Sequence, residues 1–184
     1  MNRRLTMAVA ATAAIGLPAL ALAPAASAKK NEIRIVGGTK FKAGKYVKDD
    51  VRFKPASISV KSGATVKVVN KGLDPAPHTI SFVEKAFMPK GFEFEAAGPL
   101  LAAHEVNEET QEPAIFQVND GVGVPNDQAG VLEVDKLGND TNAGDSQFIA
   151  PEQDVSFKVT AKKGSTLPYY CAVHPWMQGK IKVK

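Results

Sequence analysis

From Val51 to Val83, and again from Gln147 to Val183, apolar and polar residues alternate in short runs separated by turn signals. A period of two puts one side of each run against a core and the other toward water, the pattern of half-buried β-strands. The clearest runs are Ser57–Val60, Thr65–Asn70, Thr79–Val83, Asp154–Thr160, Leu167–Cys171 and Gly179–Val183, rich in Val, Ile and Phe. Those residues fit a pleated, half-buried surface. An earlier run, Asn31–Val36, ends at Gly37-Gly38, and the polar stretch Lys40–Asp50 predicts a loop. Lys61-Ser62-Gly63, Asn70–Pro75 and Lys163-Gly164-Ser165 read as turns. Short strands with regular turns predict an all-β fold, an antiparallel β-sandwich.

Residues 84–146 break this rhythm and read as an irregular, partly helical insertion. Gly98–Glu109 predicts a short helix with Pro99 in its first turn and Leu100, Leu101 and His104 facing inward. Ala114–Val118 predicts a strand, Asn119-Asp120-Gly121 a turn and Gly138–Asp145 a surface loop. Asn139-Asp140-Thr141 fits the glycosylation acceptor pattern, a short match that arises by chance. The acidic and amide residues around it lack the spacing and terminal Glu of an EF-hand.

The N-terminus adds an address. Arg3 and Arg4 precede an apolar run from Leu5 to Ala23, and Ala26-Ser27-Ala28 offers a small-residue cleavage site. This is the pattern of a secretory signal peptide over residues 1–28, with a membrane anchor as the alternative. Cleavage would leave residues 29–184 as one domain, exported to the periplasm or cell exterior, with no second apolar run long enough to span a membrane. Charge is segregated along that chain. Residues 29–83 carry 12 basic and 4 acidic side chains, residues 84–154 carry 3 and 15, and residues 155–184 carry 6 and none. The asymmetry suits steering of a charged partner protein, or packing of the acidic segment on the basic scaffold. The lysines are scattered and lack interleaved aromatics, so the chain carries no nucleic-acid signature and no such partner is expected.

Candidate chemistry is concentrated near the C-terminus, in Leu167–Ile181. This stretch holds the only cysteine, the only tryptophan, one of three histidines and one of four methionines. Cys171, His174 and Met177 follow one another at intervals of three. A lone cysteine cannot form an intrachain disulfide, and an unpaired thiol in an exported protein calls for an explanation, which metal ligation supplies. Thiolate, imidazole and thioether are a soft to borderline ligand set that suits copper, and two histidines, one cysteine and a weak axial methionine make the blue-copper arrangement. The second histidine is His78, at the loop-to-strand junction Pro77-His78-Thr79. His104 is the remaining histidine and reads as a surface or partly buried helix residue; Met88 is a second thioether without the right spacing.

Cys171-x-x-His174-x-x-Met177 with an upstream His78 resembles the cupredoxins, the type 1 blue-copper proteins, in their amicyanin and plastocyanin-like branch. Pro175 after the histidine and Trp176 before the methionine strengthen the likeness, which covers residues 52–83 and 147–184. The resemblance implies a Greek-key β-sandwich holding one copper ion through His78, Cys171, His174 and Met177. It also implies that His174 is the electron port, with Pro175 and Trp176 around it as the docking surface for redox partner proteins. Family members often carry Asn directly after the first histidine. Here Thr79 stands there, which leaves the rigidity of the ligand loop to be accounted for; Asn70 is a nearby substitute, or a residue that only closes a turn.

The function that follows is single-electron transfer by an exported carrier. A copper storage or delivery protein of the cell envelope would use the same ligands but favours an exposed, exchangeable site. An enzyme is disfavoured, because His104 alone cannot build a second histidine-rich copper site, and no P-loop, Gly-x-Ser-x-Gly or His-Glu-x-x-His occurs.

Overall fold

The computed structural model describes residues 31–71, 75–91, 104, 109, 113 and 115–184. The predicted signal peptide, and the predicted helix over 98–109 apart from His104 and Glu109, lie outside the described residues.

The strands of the scaffold lie where alternation predicted them. They are β1 (Glu32–Val36), β4 (Arg52–Lys54), β5 (Ser57–Val60), β6 (Thr65–Asn70), β7 (His78–Phe82), β11 (Ser146–Ile149), β12 (Asp154–Val159), β13 (Thr166–Tyr170) and β14 (Gln178–Val183). Five more short strands fill the sequence between them: β2 (Thr39–Lys42), β3 (Tyr46–Asp49), β8 (Gln117–Asn119), β9 (Val122–Val124) and β10 (Leu132–Val134). Single 3-10 turns form at Lys85–Phe87 and Asn126–Gln128, and no α-helix occurs among the described residues.

One sheet has the order β10-β12-β6-β1-β4, and the other β5-β14-β13-β7-β11-β8-β9. Most neighbours are antiparallel, while β1–β6, β10–β12 and β14–β5 run parallel. The sheets pack face to face. Ile33, Ile35, Val66, Val68, Phe157 and Val159 of the first bury their side chains against Ile58, Ile80, Phe82, Leu167, Tyr169 and Ile181 of the second. Across that gap Phe82 meets Phe157 edge-on with ring centroids 5.4 Å apart, and Phe53 meets Tyr169 at 5.1 Å. Such edge-to-face pairs add to the area they bury.

Two expectations are corrected. Lys40–Asp50 is a hairpin and not a loop: β2 and β3 pair in the register Lys40↔Lys48, Phe41↔Val47, Lys42↔Tyr46, with Gly44 at positive φ in the turn. Phe41 and Val47 are 74% and 68% exposed, so neither strand shows the half-buried pattern that marks the others. The strand expected at Ala114–Val118 instead covers Gln117–Asn119, followed by the expected turn, with Asp120 and Gly121 at positive φ.

Residues 84–146 are also more regular than their sequence suggests. β8 and β9 extend the second sheet through β11, and β10 closes the edge of the first. Asp145 fastens this region: its buried carboxylate accepts the N–H groups of Asp120, Asp135 and Lys136 at 2.7–3.0 Å. Next to it Gly144 has φ +67°, and a Cβ there would strike the backbone of Gly138 and Phe82. Only glycine lets the chain come this close to the end of β7.

Candidate metal centre

His78 opens β7 and Cys171 directly follows β13. These strands are antiparallel neighbours with Tyr170 paired to Ser81, so the start of one and the end of the other share an end of the sheet. The turn between β13 and β14 then folds back tightly. The Met177 N–H donates to the His174 carbonyl at 2.8 Å, and the Cys171 N–H to the Met177 carbonyl at 3.0 Å. A seven-residue loop closed by its own backbone thus carries the Cys-x-x-His-x-x-Met spacing, and the sheet supplies His78.

The donor atoms converge. Cys171 Sγ lies 3.8 Å from His78 Nδ1 and 3.7 Å from His174 Nδ1, and one atom from each residue falls within 4.8 Å of the others. The two imidazoles are tilted by 39° with centroids 4.9 Å apart. For nitrogen and sulfur bonds of about 2.0 and about 2.3 Å, a nitrogen and a sulfur donor set at 120° around one ion stand about 3.7 Å apart. Both sulfur-to-nitrogen spacings match that value. His78, Cys171 and Met177 are fully buried and His174 is 7% exposed.

Burial pushes the Cys171 thiol up from its ordinary value, and the N–H groups of Thr79, His174 and Val173 pull the other way. A coordinated metal cation reverses that balance, because a ligating thiol is deprotonated outright. The donor chemistry therefore fits copper: two neutral imidazoles, one thiolate, and the Met177 thioether in the same buried loop.

Thr79 accounts for the rigidity of the ligand loop. Its N–H donates to Cys171 Sγ at 3.3 Å, and its hydroxyl accepts the Ala172 N–H at 2.8 Å, so one residue ties the His78 strand to the cysteine loop twice. Asn70 neither substitutes there nor closes its own turn: its side chain donates to the Ala150 carbonyl at 2.9 Å, tying the end of β6 to the residue after β11. Met88 packs against Val83, Tyr170 and Ala172. Gln178 donates to the carbonyls of both Pro89 and Pro175, binding residues next to the metal loop to the segment after β7. Pro175 is buried and Trp176 partly buried, its indole edge-on to His174 at 5.2 Å. The apolar ring around His174 is therefore more recessed than a freely exposed docking patch.

The model of the copper-binding proteins of the plastocyanin/azurin family matches residues 40–184. The chain belongs to this family. With the family established, the cluster of His78, Cys171 and His174 beside Met177 is a single copper site.

Among solved structures, this cupredoxin is similar to a novel purple cupredoxin from Nitrosopumilus maritimus, at 15% identity and TM-score 0.40, covering 83% of this chain and 98% of that one. Dithionite-reduced auracyanin from Roseiflexus castenholzii gives 16% identity and TM-score 0.41, with 84% and 97% covered. Oxidised plastocyanin from Dryopteris crassirhizoma gives 19% and 0.35, with 83% and 99% covered. No curated protein sequence matches the chain.

The candidate ligands were visible in the sequence. Ser81, Ser146 and the contact of His104 with Ser146 were not. The available signal was the polar pair Thr79 and Ser81 on one side of a strand whose other side, Ile80 and Phe82, is apolar. That pattern normally marks a solvent-facing side, yet every residue of β7 is buried.

Proposed function

We propose that this cupredoxin is an exported type 1 blue-copper electron carrier, with one copper ion held by His78, Cys171, His174 and Met177. The observation that carries this reading is the preformed donor triangle, with sulfur-to-nitrogen distances of 3.7 and 3.8 Å inside a buried cluster. Bound copper supplies a one-electron couple. The chain's own residues hold the donors in one arrangement for both oxidation states, keep water out, and direct the Thr79 N–H at the thiolate. Burial of three of the four side chains argues for retention of the ion and against its delivery as cargo.

His174 is the one candidate ligand that reaches solvent, so electrons would enter and leave through its ring. Partner proteins would dock over His174, Trp176 and Pro175, and the acidic 84–154 segment beside a basic scaffold would steer them. The leader pattern over residues 1–28 supports export and a mature domain of residues 29–184. No helix among the described residues is long and apolar enough to cross a membrane.

The test is a visible absorption titration of residues 29–184 with Cu(II). An intense thiolate-to-copper band that saturates at one equivalent, bleaches with ascorbate and returns with oxidant is expected. Copper uptake without such a band would overturn the carrier reading in favour of storage or delivery.

A further inference from the structure

β7 reads His-Thr-Ile-Ser-Phe. Ile80 and Phe82 point into the core between the sheets, so Thr79 and Ser81 point the opposite way. On that side they meet Ser146 of β11, which is paired with Ser81, and His104 from the 84–146 region. All four side chains are at least nine-tenths buried: Thr79 is 1% exposed, Ser81 and Ser146 0%, and His104 4%. They form an unbroken row of contacts. Thr79 Oγ1 lies 2.9 Å from Ser81 Oγ, which lies 2.7 Å from Ser146 Oγ, which lies 2.9 Å from His104 Nε2. His104 Nδ1 lies 2.5 Å from the Ile115 carbonyl.

The direction of every bond follows from the His104 end. A carbonyl oxygen only accepts, so Nδ1 carries the ring hydrogen and Nε2 of the neutral ring accepts. Burial, which pushes the His104 proton affinity down, keeps the ring neutral. Ser146 therefore donates to His104, Ser81 to Ser146 and Thr79 to Ser81. That leaves the Thr79 oxygen to accept the Ala172 N–H at 2.8 Å. Bonds aligned head to tail in a buried site polarise one another.

We propose that His104 is a positioning residue for the copper site. As terminal acceptor of the chain through Ser146, Ser81 and Thr79, it fixes the Thr79 side chain that holds Ala172, and with it the Thr79 N–H aimed at the Cys171 sulfur. This rests on the copper reading above. Without His104 the Ser146 hydroxyl loses its acceptor and turns back along the row. Ser81 and Thr79 follow, and Thr79 then accepts from Ser81 and Ala172 at once. The bond to the thiolate slackens, sulfur donates more charge to the metal, and the oxidised state is favoured.

The test uses the full chain carrying His104→Phe, Ser146→Ala or His104→Gln. The serine variant guards against a phenylalanine that disturbs folding, and glutamine keeps an oxygen acceptor. Two measurements are made: the reduction potential and charge-transfer band of the copper-loaded protein, and amide hydrogen exchange at Thr79 and Ala172 in the metal-free protein. His104→Phe and Ser146→Ala should both lower the potential, shift the band, and speed exchange at those amides about tenfold, the loss of one hydrogen bond of ordinary strength. His104→Gln should stay near the unaltered protein. Unchanged potential and exchange in the first two variants would overturn the proposal, and so would glutamine behaving like phenylalanine, which would make His104 a packing residue. If the unaltered chain binds copper without a blue band, the carrier reading falls, while exchange in the metal-free protein still decides the role of His104.

Discussion

The two sides of β7 are both hidden from water, but by different means. On the inner side Ile80 and Phe82 are covered by the opposite sheet, through shape and apolar area. On the outer side Thr79 and Ser81 are covered by β11 and by His104, through hydrogen bonds satisfied one after another. The first kind of burial is non-directional and tolerates any residue of the right volume. The second is directional, and each member constrains the next. The inner side therefore carries the stability of the sandwich, and the outer side carries the geometry of the copper end, where Thr79 touches both the sulfur and the loop.

The contrast is broken most completely where the two sides meet. Cys171→Ser should abolish the blue band and most copper affinity while leaving a folded protein by circular dichroism; a variant that stays blue would remove Cys171 from the site. On the inner side, Phe82→Ala should cost about 3–5 kcal/mol of stability in denaturant unfolding, because it empties the centre of the aromatic cluster. Its effect on the copper spectrum of the surviving folded fraction should be slight. Asp145→Ala strips the acceptor from three part-buried amides and should cost about 3 kcal/mol in the same measurement, with Asn milder because it keeps one oxygen. Burial pushes the Asp145 carboxyl up and the three donors hold it back, so removing the side chain exposes what the donors contributed.

The smallest effect is on pH. Burial depresses the proton affinity of His104 below its ordinary value near 6.5, and the groups packed on it, the Ile115 carbonyl, Ser146 hydroxyl and Phe148 ring, are uncharged. The unfolded chain then binds a proton that the folded chain refuses. Stability from this residue is present above about pH 6.5 and lost as pH falls through the lowered folded value. Melting temperatures of the metal-free protein between pH 7.5 and 5 should fall less steeply in His104→Gln than in the unaltered chain.

What could be read beforehand follows from distance along the chain. Cys171, His174 and Met177 are spaced by threes, and the strands around them announce themselves by alternation over four to six residues. His104 reaches Ser146 across 42 positions and Ser81 reaches Ser146 across 65, so nothing local links them. Ser81 looked like a solvent-facing strand residue because its neighbours alternate, and only the covering chain turns it into a buried one. The β2–β3 hairpin escaped for the opposite reason: its strands are exposed on both sides, and no apolar stripe distinguishes Thr39–Lys42 from a loop.

The placement of the ligands also orders events in time. His78 precedes Cys171 by 93 residues, whereas the other three candidates sit within one short loop. Closing so long a separation is the slow, entropically expensive part of a β-fold of high contact order. An unfolded chain meeting copper would thus offer Cys171, His174 and Met177 as a ready local claw long before His78 arrives. Metal bound to that claw stabilises the unfolded chain as well as the native one, which erodes the benefit of binding. Refolding in the presence of copper should accordingly be slower than refolding first and adding the ion afterwards.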